Sequence, residues 1–349
     1  MHWTDIPADI LAAFRAGAVI PAQPLALDAQ RNFDRIRQRA LSRYYIDAGV
    51  GGLAVGVHTT QFGIREIGLF EPVLETAAET ARSWTDRPLL LIAGVVGRTI
   101  QALGEAQTAR ALGYHAVLVS LAAMRGASEP ELIDHCREIA GAMPVIGFYL
   151  QPAVGGIPLS ESFWREFAKI ENVIGIKVAP FNRYHTLNVI HGVAASGAAD
   201  RVALYTGNDD HIVLDLTLPF RTEAGQLHFA GGLLGHWSVW TQTAVAILER
   251  CKLHRQAVAV PMEHLALDSA VTDCNAAFFD VANGFHGVIA GCHEVLRRQG
   301  LLAGRWCLDP GEDLSPGQME AIDRVYRLYP ELNDDAFVRA LYQNTLGRD

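Results

Sequence analysis

Short runs of consecutive apolar residues punctuate the chain: AVIPAQPL (18–25), GGLAVGV (51–57), PLLLIAGV (88–95), HAVLVSL (115–121), PVIGFYL (144–150), VIGIKVA (173–179), VALYTG (202–207) and LHFAGGLLG (227–235). Runs of this length without polar alternation read as parallel strands buried on both faces. From the second run onward the starts advance by 37, 27, 29, 29, 29 and 25 residues, the span of one strand, one helix and two short loops.

The intervening segments carry helical spacing. Residues 99–113 predict a helix with Ile100, Leu103, Gly104 and Ala111 near one face, stopped by Gly113. Residues 129–141 repeat the pattern behind Ser128 as N-cap, and 160–173 do so with Ser160 before the helix and Glu161 in its first turn. Alternating strands and helices close into a barrel or open into a doubly wound sheet. A dinucleotide-binding sheet requires GxGxxG directly after its first strand, and this chain runs instead into PLALDAQRNFD. The pattern therefore predicts a (β/α)8 TIM barrel. More than 100 residues of helical pattern follow the last run, punctuated by Pro310, Gly311, Pro316 and Gly317. The expected organisation is a barrel with a short N-terminal helix over 1–255 and a C-terminal α-helical domain over 256–349.

Composition narrows the function classes. A net charge of −9 over 349 residues offers no basic footprint for nucleic acid. No apolar run has the length of a membrane span. The opening segment MHWTDIPADILAAFRAG reads as an amphipathic helix and not as a signal peptide. Five scattered cysteines without a CxxC pair read as free thiols in a reducing, cytoplasmic setting.

Functional groups of such barrels emerge at the C-terminal ends of the strands. In VIGIKVA, period-two alternation puts Val173, Gly175 and Lys177 on one face and predicts that Lys177 points to the axis, with Gly175 leaving room beneath it. The same parity puts Val145, Gly147 and Tyr149 together, so that Tyr149 and Lys177 are expected to share a pocket. The chain has only three lysines, Lys169, Lys177 and Lys252. A lysine inside an apolar run is costly to bury unless it is paired or neutral, and a neutral amine is what attack on a carbonyl requires. A lysine that snorkels to solvent or pairs with an acid is the competing reading.

VIGIK ending in Lys177, FYLQP with Tyr149 28 residues earlier, VHTT with Thr59 and Thr60, IAGV (92–95) and TGNDD (206–210) together resemble the dihydrodipicolinate synthase / N-acetylneuraminate lyase family of class I aldolases. The match in order and spacing extends from about residue 17 to 325. The resemblance implies a carbon–carbon or carbon–oxygen lyase without metal or organic cofactor, acting on a small 2-keto acid such as pyruvate. Lys177 would form the Schiff base. Tyr149 would shuttle protons, Thr59 would relay them to Tyr149, and Thr60 would hold the keto-acid carboxylate through its hydroxyl and backbone N–H. The resemblance also implies a homo-oligomer, a dimer or a tetramer.

The chain departs from that pattern. Thr59-Thr60-Gln61-Phe62 lacks the glycine and acid of the family's TTGE, and Ala122 and Ala123 stand where a tyrosine pair occurs. Val154 replaces an arginine that grips a second carboxylate. An authentic dihydrodipicolinate synthase is therefore not expected; a fragment that is larger or uncharged fits better. His58, Gln151, Val154, Asn208, Asp209, His236 and Trp237 are candidates for lining that pocket. Three alternatives remain: a metal site from Asp209, Asp210 and His211 with His58 or His236; a phosphate site at AGGLLGH (230–236); and an idle 2-keto-acid-binding relative. Residues 217–229 read as a loop unusual for the family.

Overall fold

The computed structural model describes residues 1–345. Eight parallel strands form one sheet: β1 (Val19–Pro21), β2 (Gly52–Val55), β3 (Leu90–Val95), β4 (Ala116–Val119), β5 (Val145–Leu150), β6 (Val173–Ala179), β7 (Ala203–Thr206) and β10 (Gly231–Leu234), in the order β1-β10-β7-β6-β5-β4-β3-β2. A parallel bridge between Ala22 and Ala54, with Gln23 N–H donating to Ala54 O at 2.9 Å, joins β1 to β2 and closes the barrel. Each strand is followed by a helix: α2 (Arg35–Asp47), α3 (Phe70–Trp84), α4 (Thr99–Ala111), α5 (Glu129–Ala142), α6 (Glu161–Lys169), α7 (Arg183–Ser196), α8 (Ile212–Thr217) and α9 (Thr241–Arg255). This is the predicted (β/α)8 barrel.

Two apolar clusters interleave along the strands, as burial on both faces requires. Ile20, Leu90, Ile92, Leu118, Ile146 and Leu233 fill the barrel interior. Val55, Val95, Val119, Tyr149 and Val178 pack outward against the helices. The amphipathic start forms α1 (Ala8–Ala16), which buries Leu11 and Phe14 into the N-terminal mouth. The Phe14 ring stacks on Tyr205 at 4.6 Å, and the Tyr205 hydroxyl donates to Phe14 O at 2.6 Å. Gly175 serves this plug and not the lysine above it: a Cβ there would lie 2.9 Å from the Phe14 ring.

Helix starts follow their expected caps. Ser128 N–H donates to Glu131 at 2.7 Å, closing a capping box, and Ser160 accepts from Phe163 N–H at 3.1 Å. The expected face of α4 is corrected. Ala102, Glu105, Ala106 and Ala109 are buried, whereas Ile100 is 89% exposed. Small alanines seat the helix closely on the barrel, and Glu105 is retained inside by Arg65, at 2.9 Å.

The stretch 217–229 contains a β-hairpin of β8 (Phe220–Thr222) and β9 (Gly225–Leu227), which precedes β10 and so lies toward the N-terminal face. Beyond α9 come α10 (Met262–Phe278), α11 (Val288–Arg298), α12 (Gln318–Leu328) and α13 (Asp335–Thr345). The α10–α11 connection crosses the C-terminal mouth of the barrel and brings Phe279 and Phe285 over it.

Candidate active site

Lys177 points into the barrel from β6, with Ile176 and Val178 on either side turned to the helices. It faces Phe148 on one neighbouring strand and Tyr205 on the other. The side chain enters a cavity of about 70 Å³ whose walls include His58, Thr59, Phe148, Gln151, Val154 and Asp209. Gly207 makes room for the amine: a Cβ there would stand 2.9 Å from Lys177 Cε and 2.8 Å from the Ala179 Cβ. Gly207→Ala is expected to displace the amine and slow its reaction with a keto acid by about 10²-fold. The rate of adduct formation in the variant measures this.

The electrostatics favour a reactive amine. Lys177 is 8% exposed, and burial lowers its affinity for a proton, partly offset by Asp209. The ammonium form is also favoured by the Phe148 ring, centred 4.3 Å from Nζ. Asp209 is pushed the opposite way, above the usual carboxylate range, chiefly by burial and against the pull of Lys177. Its Oδ1 is sealed from solvent and accepts no hydrogen bond. Two groups whose environments push them toward their neutral forms can exchange a proton at low cost. His58 is held neutral, pushed down to about 4 by burial and then by Lys177.

Other expectations are corrected. Tyr149 does not share the pocket. Its ring lies against Trp164 at 5.1 Å and His185 at 5.9 Å, and its hydroxyl accepts from Leu159 N–H at 3.2 Å. The cause is a register shift: Val145 pairs with Val173, but Ile146 pairs with Gly175, and the shifted register carries Phe148 opposite Lys177. A one-residue slip turns a side chain to the other face. Burial raises the Tyr149 hydroxyl above its ordinary range. Tyr149→Phe is therefore expected to lower stability by about 1 kcal/mol while leaving adduct formation by Lys177 unchanged. Thermal unfolding and trapping, run in parallel, check both.

Thr60 is likewise consumed within the fold. Its hydroxyl accepts from Gly56 N–H at 3.0 Å and donates to Gln23 O at 2.7 Å, and its own N–H donates to Val57 O at 3.0 Å. It staples the end of β2 and has no donor left for a carboxylate. Thr59 lines the cavity, with its hydroxyl donating to Ala22 O at 2.6 Å. Gln61, at the family's glycine, keeps a left-handed backbone at φ 66°, held by Leu308 N–H donating to its side chain at 2.6 Å.

Asn208 stands behind the cavity. It accepts from Phe181 N–H at 3.2 Å and donates to Thr186 and to Asp215. His236 and Trp237 are buried away from the cavity, His236 stacked on Phe278 at 6.1 Å. The postulated metal set is dispersed: His211 pairs with Asp268 at 3.1 Å, and Asp210 is exposed. Among the described residues no three His, Cys, Asp or Glu side chains gather to hold a metal ion. The glycines of 230–236 serve packing, since a Cβ on Gly231 would sit 2.2 Å from Ala18 O. The residues that sequence reasoning missed are Phe148, assigned to the opposite face, and Phe181, Phe279 and Phe285, which lie in connections without a periodic signal.

Residues 15–222 match the dihydrodipicolinate synthetase family. N-acetylneuraminate lyase 2 of Escherichia coli O6:H1 is 30% identical over 163 residues, 46% of this chain and 52% of the relative. A 4-hydroxy-tetrahydrodipicolinate synthase of Alkaliphilus oremlandii is 32% identical over 117 residues, 33% of this chain and 38% of the relative. The chain thus matches about half, or less, of the length of these curated relatives. Structural similarity is broader. N-acetylneuraminate lyase from Fusobacterium nucleatum superposes with a TM-score of 0.71 at 19% identity, over 91% of this chain and 99% of that one. Dihydrodipicolinate synthase from Acinetobacter baumannii, complexed with pyruvate, gives 0.72 at 17% identity, over 89% and 98%. With the family match spanning more than half of its residues and the barrel shared, the chain belongs to the dihydrodipicolinate synthetase family.

Proposed function

We propose that this protein is a class I lyase that forms a Schiff base between Lys177 and pyruvate or a related 2-keto acid. The observation that carries the reading is the burial of Lys177 in a cavity at the C-terminal end of the strands, beside Asp209. Lyases among the curated relatives, and a solved neighbour complexed with pyruvate, support it.

The neutral amine attacks the keto carbon, and the carbinolamine loses water to give an iminium ion. Asp209 takes the place that Tyr149 leaves empty. As the neutral acid it protonates the departing hydroxyl, and as the carboxylate it receives a substrate proton. The iminium accepts the electron pair of an adjacent bond, so that the bond breaks or forms through an enamine. His58 and Thr59 face the same space and are assigned to the keto-acid end, with Gln151 at the side wall. Five buried, unpaired cysteines support a reducing, cytoplasmic setting.

Incubation with pyruvate and borohydride tests the proposal. The intact protein is expected to gain the mass of one reduced pyruvyl adduct. A mass that stays unchanged with pyruvate and with a panel of 2-keto acids overturns it.

A further inference from the structure

The cavity around Lys177 is walled largely by apolar side chains. Phe148, Leu150, Phe181, Phe279, Phe285 and Val288 line it, and no arginine does among the described residues. Arg183, two positions beyond Phe181, is committed to the buried carboxylate of Asp215. The position that faces a second carboxylate in the family pattern is Val154, also on the wall.

Two of these rings are held in a special way. Phe181, in the β6–α7 connection, and Phe285, in the α10–α11 connection, both have left-handed backbones, at φ 50° and φ 69°. Bulky residues rarely adopt that conformation, and it persists only where surrounding contacts over-determine it, as at ligand clamps. Those contacts are present. Phe181 N–H donates to Asn208 Oδ1 at 3.2 Å. Phe285 N–H donates to Asp280 O at 3.0 Å. Asp280 is itself left-handed, at φ 55°, and its carboxylate accepts from Gly287 N–H at 2.9 Å, Asn283 at 2.6 Å and Ser315 at 2.5 Å. Elements far apart in the chain thereby bring the two rings to a centroid separation of 6.0 Å with their planes tilted by 59°. Both rings are half-buried.

We propose that Phe181 and Phe285 form an aromatic gate selecting an uncharged aldehyde with an apolar, ring-sized group as the second fragment of the reaction. This inference rests on Lys177 forming the Schiff base. The keto acid lies beside Lys177, and the apolar group lies against the two rings on the same cavity wall. Burying that group against four aromatic rings gains apolar area, whereas a carboxylate there would lose its hydration without a cation to replace it. In the cleavage direction the substrate hydroxyl gives its proton to Asp209. The bond between the hydroxyl-bearing carbon and the carbon next to the iminium breaks, and its electron pair forms the enamine. The apolar aldehyde leaves, the enamine carbon takes a proton, and water releases pyruvate and the free amine.

The test is aldehyde choice in condensation with pyruvate. Benzaldehyde and isobutyraldehyde are compared with glyceraldehyde and glyoxylate, and pyruvate trapping by borohydride runs alongside. The apolar aldehydes are expected to react with kcat/KM at least about tenfold higher. Phe285→Ala and Phe181→Ala should each raise KM for benzaldehyde at least about tenfold while changing KM for glyceraldehyde by less than about threefold. Val154→Arg, on a half-buried wall position outside the strands, should shift preference toward glyoxylate. Pyruvate trapping combined with preference for glyoxylate or glyceraldehyde in the unmodified protein overturns the gate alone. An equal loss with every aldehyde in both Phe variants also overturns it. Failure to trap pyruvate overturns the Schiff base and the gate together.

Discussion

Lys177→Ala is expected to leave a folded protein that forms no borohydride-trappable adduct and whose turnover falls to background. The folded state should survive because the substitution removes a buried amine whose charged form is disfavoured where it stands. The charge left behind is not stranded. Lys177 is what lowers the affinity of Asp209 for its proton, so without the lysine the carboxyl moves further toward its neutral form. Lys169 and Lys252 cannot substitute. Lys169 pairs with Glu166 at 2.9 Å on the outside of α6, and Lys252 donates to Gly17 O and Glu249 from α9. Residual adduct in the variant, read by intact mass, would assign the chemistry to another amine.

Asp209→Asn is expected to slow adduct formation by about 10²-fold or more, because the group that exchanges protons with the carbinolamine is lost. Its second consequence separates chemistry from structure. Adduct formation rises with pH as the amine loses its proton, and burial already places that rise below the ordinary lysine range. The Asp209 carboxylate opposes burial by stabilising the ammonium. Removing its charge lowers the pKa of Lys177 further, so the rise should move to lower pH in the variant. A pH profile of the trapping rate checks this. A variant with unchanged rate and unchanged profile would place Asp209 outside the proton transfers.

The barrel was legible because fully buried parallel strands leave uninterrupted apolar runs, and their spacing repeats with the βα unit. Lys177 does point inward, but strict period-two alternation on β6 does not hold: Val173 packs outward with Ile176 and Val178 while Ile174 turns inward, the irregularity falling between Val173 and Gly175. The position of Tyr149 was not legible. The 28-residue spacing from Tyr149 to Lys177 implies that they face each other, but the irregularity at Val145 and Ile146 changes the pairing offset, so that Phe148 takes that place. Such a bulge leaves no mark in a strand of apolar residues on either face. Thr60 illustrates a different limit: a strand-end threonine has the same residue type whether it binds a ligand or staples the turn, and only its bonds to Gly56, Val57 and Gln23 decide. The aromatic gate was hidden for a third reason. Phe285 lies in a connection more than 100 residues from Lys177, and helical periodicity cannot show which connection crosses the barrel mouth. On α4, the apolar Ile100 drew the predicted face outward, while alanines made the close contact.

The central claim is that one lysine of three carries the chemistry, and peptide mapping after reductive trapping tests it most directly. The protein is reduced in the presence of pyruvate, digested, and each lysine-containing peptide is examined for the reduced pyruvyl group. The account predicts modification confined to the peptide containing Lys177, with Lys169 and Lys252 untouched. Modification spread over all three lysines, or absent from Lys177, would contradict it.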